Sequence, residues 1–154
     1  INCGARPRHK QMLSLRDNII TLERVHCDYG SIGNYIISTP IKDVLTSFTD
    51  INGKYKLDYF GVALCCEWLK NYIDIIKPDV HVKRILSPER LNFLNGKESD
   101  AEVVDKLLKF RSKYTFRQID TMLWEYCRED GYSGICSKTP KCNLCGIREY
   151  CNYE

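Results

Sequence analysis

Apolar side chains recur every three or four residues along most of this chain. They lie near helical spacing over residues 10–27, and a long, strongly apolar stretch predicts another helix from Leu57 to Ile76. Two-residue alternation, the pattern of a half-buried strand, is not sustained anywhere. The best strand candidate is the short run Tyr35-Ile36-Ile37-Ser38. The pattern as a whole therefore predicts an all-α fold.

Two X-Pro pairs indicate further helix starts. Thr39-Pro40 supplies a capping side chain and a proline at the first helical position, which predicts a short helix through Phe48. Ser87-Pro88 predicts another helix, which Asn95-Gly96 would close.

Two capping boxes give the clearest helix starts in the sequence. Ser99 is followed three residues later by Glu102, and Thr115 is followed three residues later by Gln118. In a capping box the first side chain accepts a hydrogen bond from the backbone N–H of the second residue. The second side chain accepts in turn from the backbone N–H of the first. Each box precedes apolar residues at helical spacing, so two helices are predicted there.

The size and charge of the chain indicate a globular protein rather than a membrane-spanning one. The chain has 154 residues, 44% of them hydrophobic, which suffices for a buried core. Its net charge of +3 is too mild to indicate a nucleic-acid partner by itself. No apolar run approaches the roughly 20 residues that span a bilayer, and the first residues are polar and basic rather than a signal peptide. We expect a monomer without a membrane partner, cytoplasmic or nucleoid-associated, or nuclear in a eukaryote.

Nine cysteines are unevenly placed along the chain. Four of them crowd into one C-terminal loop with the spacing C-x5-C-x2-C-x5-C: Cys136, Cys142, Cys145 and Cys151. A disulfide-rich secreted domain would instead spread its pairs through a shorter chain. Four thiolates on one loop can hold a [4Fe-4S] cluster or a tetrahedral zinc ion. Zinc sites usually come as two C-x2-C pairs, so the near-symmetric spread favours the cluster and leaves zinc as the alternative.

The cysteine loop and one upstream segment together resemble a known family. The loop resembles that of the endonuclease III and adenine-glycosylase branch of the helix–hairpin–helix DNA glycosylases, where the spacing is C-x6-C-x2-C-x5-C. The first gap is thus one residue short here. The upstream segment is similar to that family's D-x-H-[VI]-x-R motif and reads Asp79-Val80-His81-Val82-Lys83-Arg84. The resemblance covers roughly residues 57–154.

The resemblance implies a helical DNA-glycosylase-like fold that acts on double-stranded DNA containing a damaged or mismatched base. It places the catalytic carboxylate at Asp79 and the cluster ligands at the four loop cysteines. The cations expected to face DNA phosphates are Lys83, Arg84, Lys138 and Lys141. The cluster would orient DNA and stabilise structure rather than cleave a bond.

The chain departs from the family pattern at the hairpin. The aligned stretch, residues 57–63, lacks both hairpin glycines, and Gly61 stands where lyase-competent members place a Schiff-base lysine. We therefore expect a monofunctional glycosylase in base-excision repair. Two alternatives stay open: a non-catalytic iron–sulfur relative that binds nucleic acid, and a helical interaction module stapled by zinc.

The same resemblance predicts that the chain divides into three segments. Residues 1–76 would form an abbreviated helical barrel lobe with the degenerate hairpin, residues 77–135 the helical lobe that follows Asp79, and residues 136–154 the cluster loop. Barrel helices that the family carries ahead of its hairpin would be abbreviated in residues 1–50 or lie upstream of Ile1.

Overall fold

A computed structural model describes residues 9–110, 112–129 and 134–153. Within those ranges the regular structure is helical and contains no strand, which confirms the all-α prediction. The described helices are α1 (His9–Leu13), α2 (Leu15–Tyr29), α3 (Ile32–Ser38), α4 (Ile41–Thr49), α5 (Val62–Leu69), α6 (Val80–Leu86), α7 (Asp100–Leu108) and α8 (Phe116–Cys127). Two 3-10 turns follow, Cys142–Leu144 and Arg148–Tyr150. None of the described helices combines the length and apolarity that crossing a bilayer requires.

The chain divides into two compact units, Ile1–Cys65 and Cys66–Glu154, and the three predicted segments remain a prediction. The core of the first unit is strongly aromatic. Tyr35 lies at its centre, with ring centroids 5.5 Å from Phe48 and 5.3 Å from Tyr55, both edge-on. Edge-on aromatic contacts of this kind add to the stabilisation from burial itself.

The second unit packs α6 against α8. One cluster of its core gathers apolar side chains from α6, α7 and the segments before them: Ile76, Val82, Leu94, Val103 and Leu107. A second cluster joins Ile85 of α6 to Cys127 at the end of α8 and to Cys136, the first loop cysteine. The cysteine loop is therefore anchored in the core through its first thiol.

The strand candidate at residues 35–38 is wrong, because these residues belong to α3. Ser31 caps that helix, and its hydroxyl accepts from the Asn34 backbone N–H at 2.9 Å. Tyr35 and Ile36 are buried, so the apolar run serves the core on one face of a helix. So short an apolar run fits a strand or a helix equally well, and the Ser31 cap decides between them.

The long helix predicted from Leu57 to Ile76 is also wrong, since only α5 forms. Tyr59 has a φ of 57°, in the left-handed region, which keeps the chain before α5 from being helical. The adjacent Asp58 N–H donates to the Asn18 side chain at 2.7 Å, which fixes this turn on α2. Ile75 and Ile76 are fully buried without being helical. Their apolarity reflects burial rather than helical periodicity.

The helix predicted after Ser87-Pro88 does not form either. The Arg90 N–H donates to the Ser87 carbonyl at 3.0 Å in a tight turn, and Asn92 then adopts a φ of 51°. The chain folds back so that the Leu94 N–H reaches the Leu86 carbonyl at 2.8 Å. This turn segment, residues 87–98, brings Arg90 beside the cysteine loop.

The helices predicted over 10–27 and after Thr39-Pro40 are confirmed, the first as α1 and α2 and the second as α4. The predicted cap of the second helix is wrong, because Pro40 takes the N-cap position, where no side-chain hydrogen bond forms, and Thr39 is the C-cap of α3. Both capping boxes are confirmed in full. The hydroxyls of Ser99 and Thr115 accept from the third residue of their helices, and Glu102 and Gln118 reach back to the cap N–H groups. Reciprocal caps satisfy amides that no intrahelical carbonyl can reach.

We predict that Thr115→Ala lowers the free energy of unfolding by about 1 kcal/mol, because α8 loses its capping hydroxyl. Urea-induced unfolding followed by circular dichroism measures the change. Thr121→Ala is the matched control, since Thr121 lies exposed in the middle of the same helix and its hydroxyl donates to the Arg117 carbonyl rather than to a cap. Its expected change is within about 0.5 kcal/mol, and an equal loss in both variants would contradict the capping role.

Candidate metal centre and cationic groove

Asp79 is the N-cap of α6. Its Oδ1 accepts from the backbone N–H groups of His81 at 2.9 Å and Val82 at 3.1 Å. These two hydrogen bonds satisfy backbone amides at the start of α6 that no intrahelical carbonyl can reach. Asp79 is half-buried rather than enclosed. Its carboxylate can therefore cap α6 and also contact a bound ligand.

The four cations expected to face DNA differ in how firmly they are held. Lys83 forms an ion pair with Asp100 on α7, and Arg84 donates to the Cys127 carbonyl at 3.2 Å. Lys138 and Lys141 are exposed on the cysteine loop. The first two thus help to hold the unit together, whereas the loop lysines are presented to solvent. DNA contact by these four residues stays a prediction.

The cysteine loop begins in the core and ends at the surface. Cys136 is buried, and its N–H donates to the Tyr126 carbonyl of α8 at 2.8 Å. The other three loop thiols are half-buried. The end of the loop returns to the turn segment, where the Asn152 N–H donates to the Arg90 carbonyl at 2.8 Å.

Arg90 connects the two ends of the loop. Its side chain is buried, only 6% exposed, and Nη1 donates to the Cys136 sulfur at 2.7 Å. Nη2 donates to the Ser137 carbonyl at 3.0 Å, and the Tyr153 ring lies 4.7 Å from the guanidinium carbon. These hydrogen bonds go to a sulfur and a carbonyl rather than to a carboxylate. A buried guanidinium requires a negative partner, which the Cys136 thiolate would provide.

Two further donors act on the loop sulfurs. The Cys127 thiol donates to the Cys136 sulfur, and this hydrogen bond together with the Arg90 cation lowers the pKa of Cys136, against the effect of burial. The same hydrogen bond and burial raise the pKa of Cys127, which therefore keeps its proton. The Tyr126 hydroxyl donates to the Cys145 sulfur at 3.2 Å. Donors of this kind stabilise thiolates, including thiolates that bind a metal.

The residues present fit a thiolate-bound metal in donor chemistry. In the described ranges, however, no three or more His, Cys, Asp or Glu side chains lie close enough together to hold an ion. Metal binding would have to draw Cys142, Cys145 and Cys151 toward Cys136. Such coupling between binding and local folding is usual for small cysteine sites, because a complete ligand set rarely exists before the metal binds.

An open groove brings two of the four expected DNA-facing cations together. Arg84 and Lys138 both line it, and Glu129 lies between them, 4.0 Å from Arg84 Nη2 and 3.9 Å from Lys138 Nζ. Lys83 and Lys141 are not among its lining residues within the described part of the chain.

Comparisons of the chain with models of protein families, with curated proteins and with solved structures find no match. Its function must therefore be inferred from the arrangement of its own residues.

Several residues of the site were missed from sequence. Neither Arg90 nor Tyr126 belongs to a recognisable motif. Arg90 lies in a segment predicted to be helical, and Tyr126 is one of several residues on the predicted face of a helix. Trp124 and Arg128 had a usable signal, since an aromatic and an arginine four residues apart meet on a helix surface. The guanidinium carbon of Arg128 indeed lies 4.9 Å from the Trp124 ring centroid.

We predict that Arg90→Met lowers the free energy of unfolding by roughly 3 kcal/mol, as expected for removing one member of a buried charged pair. Urea-induced unfolding measures the change. Arg148→Met is the control, because Arg148 lies exposed on the same loop, and we expect its effect to be within about 0.5 kcal/mol. Equal stabilities of the wild type and Arg90→Met would contradict the anchoring role of this guanidinium.

Proposed function

We propose that the protein is a monofunctional DNA glycosylase of base-excision repair, in which the C-terminal loop binds a [4Fe-4S] cluster through Cys136, Cys142, Cys145 and Cys151. The observation that carries the proposal is the packing of α6, which Asp79 opens, against α8, which leads into the cysteine loop. The two motifs that resemble the glycosylase family thus belong to one compact unit.

The chemistry expected of Asp79 follows from its position. Breaking an N-glycosidic bond leaves positive charge on the sugar, and an ionised carboxylate beside that charge stabilises the transition state. The same carboxylate can orient and deprotonate the attacking water. The amides of His81 and Val82 hold one carboxylate oxygen in a fixed direction, so little reorganisation is needed as charge develops.

The degenerate hairpin supports a reaction without strand cleavage. Gly61 offers no amine for a Schiff base. In the turn before it, the Asp58 N–H is already used by Asn18 rather than being free for a DNA phosphate. Phosphate contacts are then expected mainly from the second unit, where Lys138 and Lys141 are exposed on the loop.

Cys136, Cys142, Cys145 and Cys151 would hold the cluster, which would supply a rigid, negatively charged core for the loop. The buried Arg90 positions the first of these sulfurs. We assign the cluster no step in bond cleavage. When bound, it would fix the path of the loop, and with it the positions of Lys138 and Lys141.

We predict that the purified protein releases free base from at least one duplex in a panel of damaged or mispaired substrates. Asp79→Asn should slow release by roughly 100-fold or more, because the carboxylate charge is lost. Asparagine caps helices about as well as aspartate, so the variant should fold normally. Chromatography of the released base measures the rate, and gel analysis should show no strand scission beyond spontaneous breakage of abasic sites.

Asp74→Asn is the matched control for that experiment. Asp74 accepts from two backbone amides as well, those of Phe116 and Arg117, at 3.0 Å each. It should release base at the wild-type rate. Full activity of Asp79→Asn, or no base release from any substrate by the wild type, would overturn the proposed function.

A further inference from the structure

The groove introduced above is a candidate binding site in its own right. It is open on one side and has a volume of about 380 Å³, within the usual range for small-molecule sites. Its described lining comes from α6, from the end of α8 and from the cysteine loop: Val80, His81, Arg84, Trp124, Arg128, Glu129 and Lys138. Asp79 is not among these described lining residues, although Val80 and His81, which follow it directly, are.

The groove carries more positive than negative charge. Arg84 and Lys138 share the single carboxylate of Glu129, and at 4.0 and 3.9 Å neither contact is a hydrogen bond. Arg84 Nη2 and Lys138 Nζ therefore keep donors for an incoming anion. Arg128 adds a third cation, with Nε 3.2 Å from a Glu125 carboxylate oxygen. A phosphate that enters between these cations would take the place now filled by Glu129.

An exposed aromatic ring lies beside the cations. Trp124 is 42% exposed, and the Arg128 guanidinium lies over its ring. The Val80 side chain, which also lines the groove, is exposed and adds an apolar surface. In addition, His81 Nδ1 is buried without a hydrogen-bond partner among the described residues. Cations beside an exposed aromatic face form the usual arrangement for binding unpaired nucleotides, in which bases stack and phosphates pair with cations.

We infer that this groove binds one unpaired nucleotide of a DNA strand, with its base against Trp124 and its phosphate between Arg84, Arg128 and Lys138. The inference rests on the proposed action on DNA, because base extrusion leaves unpaired nucleotides next to the protein. A free mononucleotide carries the same chemistry, and the experiment separates the two sources.

The experiment measures binding of a short fluorescein-labelled oligothymidylate by anisotropy, with thymidine 5′-monophosphate and inorganic phosphate as competitors. Tryptophan fluorescence is followed in the same titration. We expect the oligonucleotide to quench the tryptophan signal, and Trp124→Phe, which keeps Trp68, to remove the quenching. Lys138→Gln and Trp124→Leu should each weaken binding by about tenfold, with a lower salt dependence for Lys138→Gln.

Folding is not at issue for Lys138→Gln, because that side chain is 75% exposed. Lys113 and Tyr114 provide the matched control, since they form another exposed cation–aromatic pair, with Nζ 5.0 Å from the ring centroid. Lys113→Gln and Tyr114→Leu should bind the oligonucleotide as the wild type does. Equal losses in the groove and control variants, or unchanged binding in the groove variants, would overturn the inference.

The competitors decide between ligands. Thymidine monophosphate should compete more weakly than unlabelled oligonucleotide and more strongly than phosphate. If phosphate competes as strongly as thymidine monophosphate, the groove is not a nucleotide site. If thymidine monophosphate competes more strongly than the unlabelled oligonucleotide, the groove is not a site for a DNA strand. Base release from damaged duplexes is measured beside binding. Base release by a protein whose groove variants bind the oligonucleotide as the wild type does would contradict this inference alone. Weakened binding in the groove variants without any base release would contradict the glycosylase proposal alone.

Discussion

The second unit depends on one buried charge, the guanidinium of Arg90. It donates to the sulfur of Cys136 and the carbonyl of Ser137 at the start of the cysteine loop, while Tyr153 lies against it at the end of the loop. A buried cation of this kind is costly unless an anion meets it. The Cys136 sulfur meets it, and the pKa of Cys136 is lowered by the Cys127 hydrogen bond and by Arg90, so the charge of the loop and the packing of the core constrain each other.

Sequence predicted helices well where local hydrogen bonds decide the structure. The boxes at Ser99 and Thr115 are local, and both helices begin where the boxes place them. Sequence failed where apolar residues are buried outside regular structure, as at residues 70–76. Burial raises apolarity in turns and helices alike, so apolarity alone cannot tell Ile75 and Ile76 from residues of a buried helix.

The candidate site was predicted in part. The cysteine spacing and the segment at Asp79 are visible in the chain, because both are short motifs with fixed spacing. Arg90 was not predictable, since its partner Cys136 lies 46 residues away and only the turn segment brings them together. The groove at Trp124 likewise requires α6, α8 and the loop to meet, which periodicity alone does not specify.

The most direct test of this account is the metal and sulfide content of protein purified without oxygen. We expect about four iron atoms and about four acid-labile sulfides per chain, with a broad visible absorption that dithionite bleaches. Arg90→Met should purify with less iron, because Cys136 loses the cation that holds its thiolate in place. Colourless wild-type protein that contains one zinc ion, or no metal, would contradict the account.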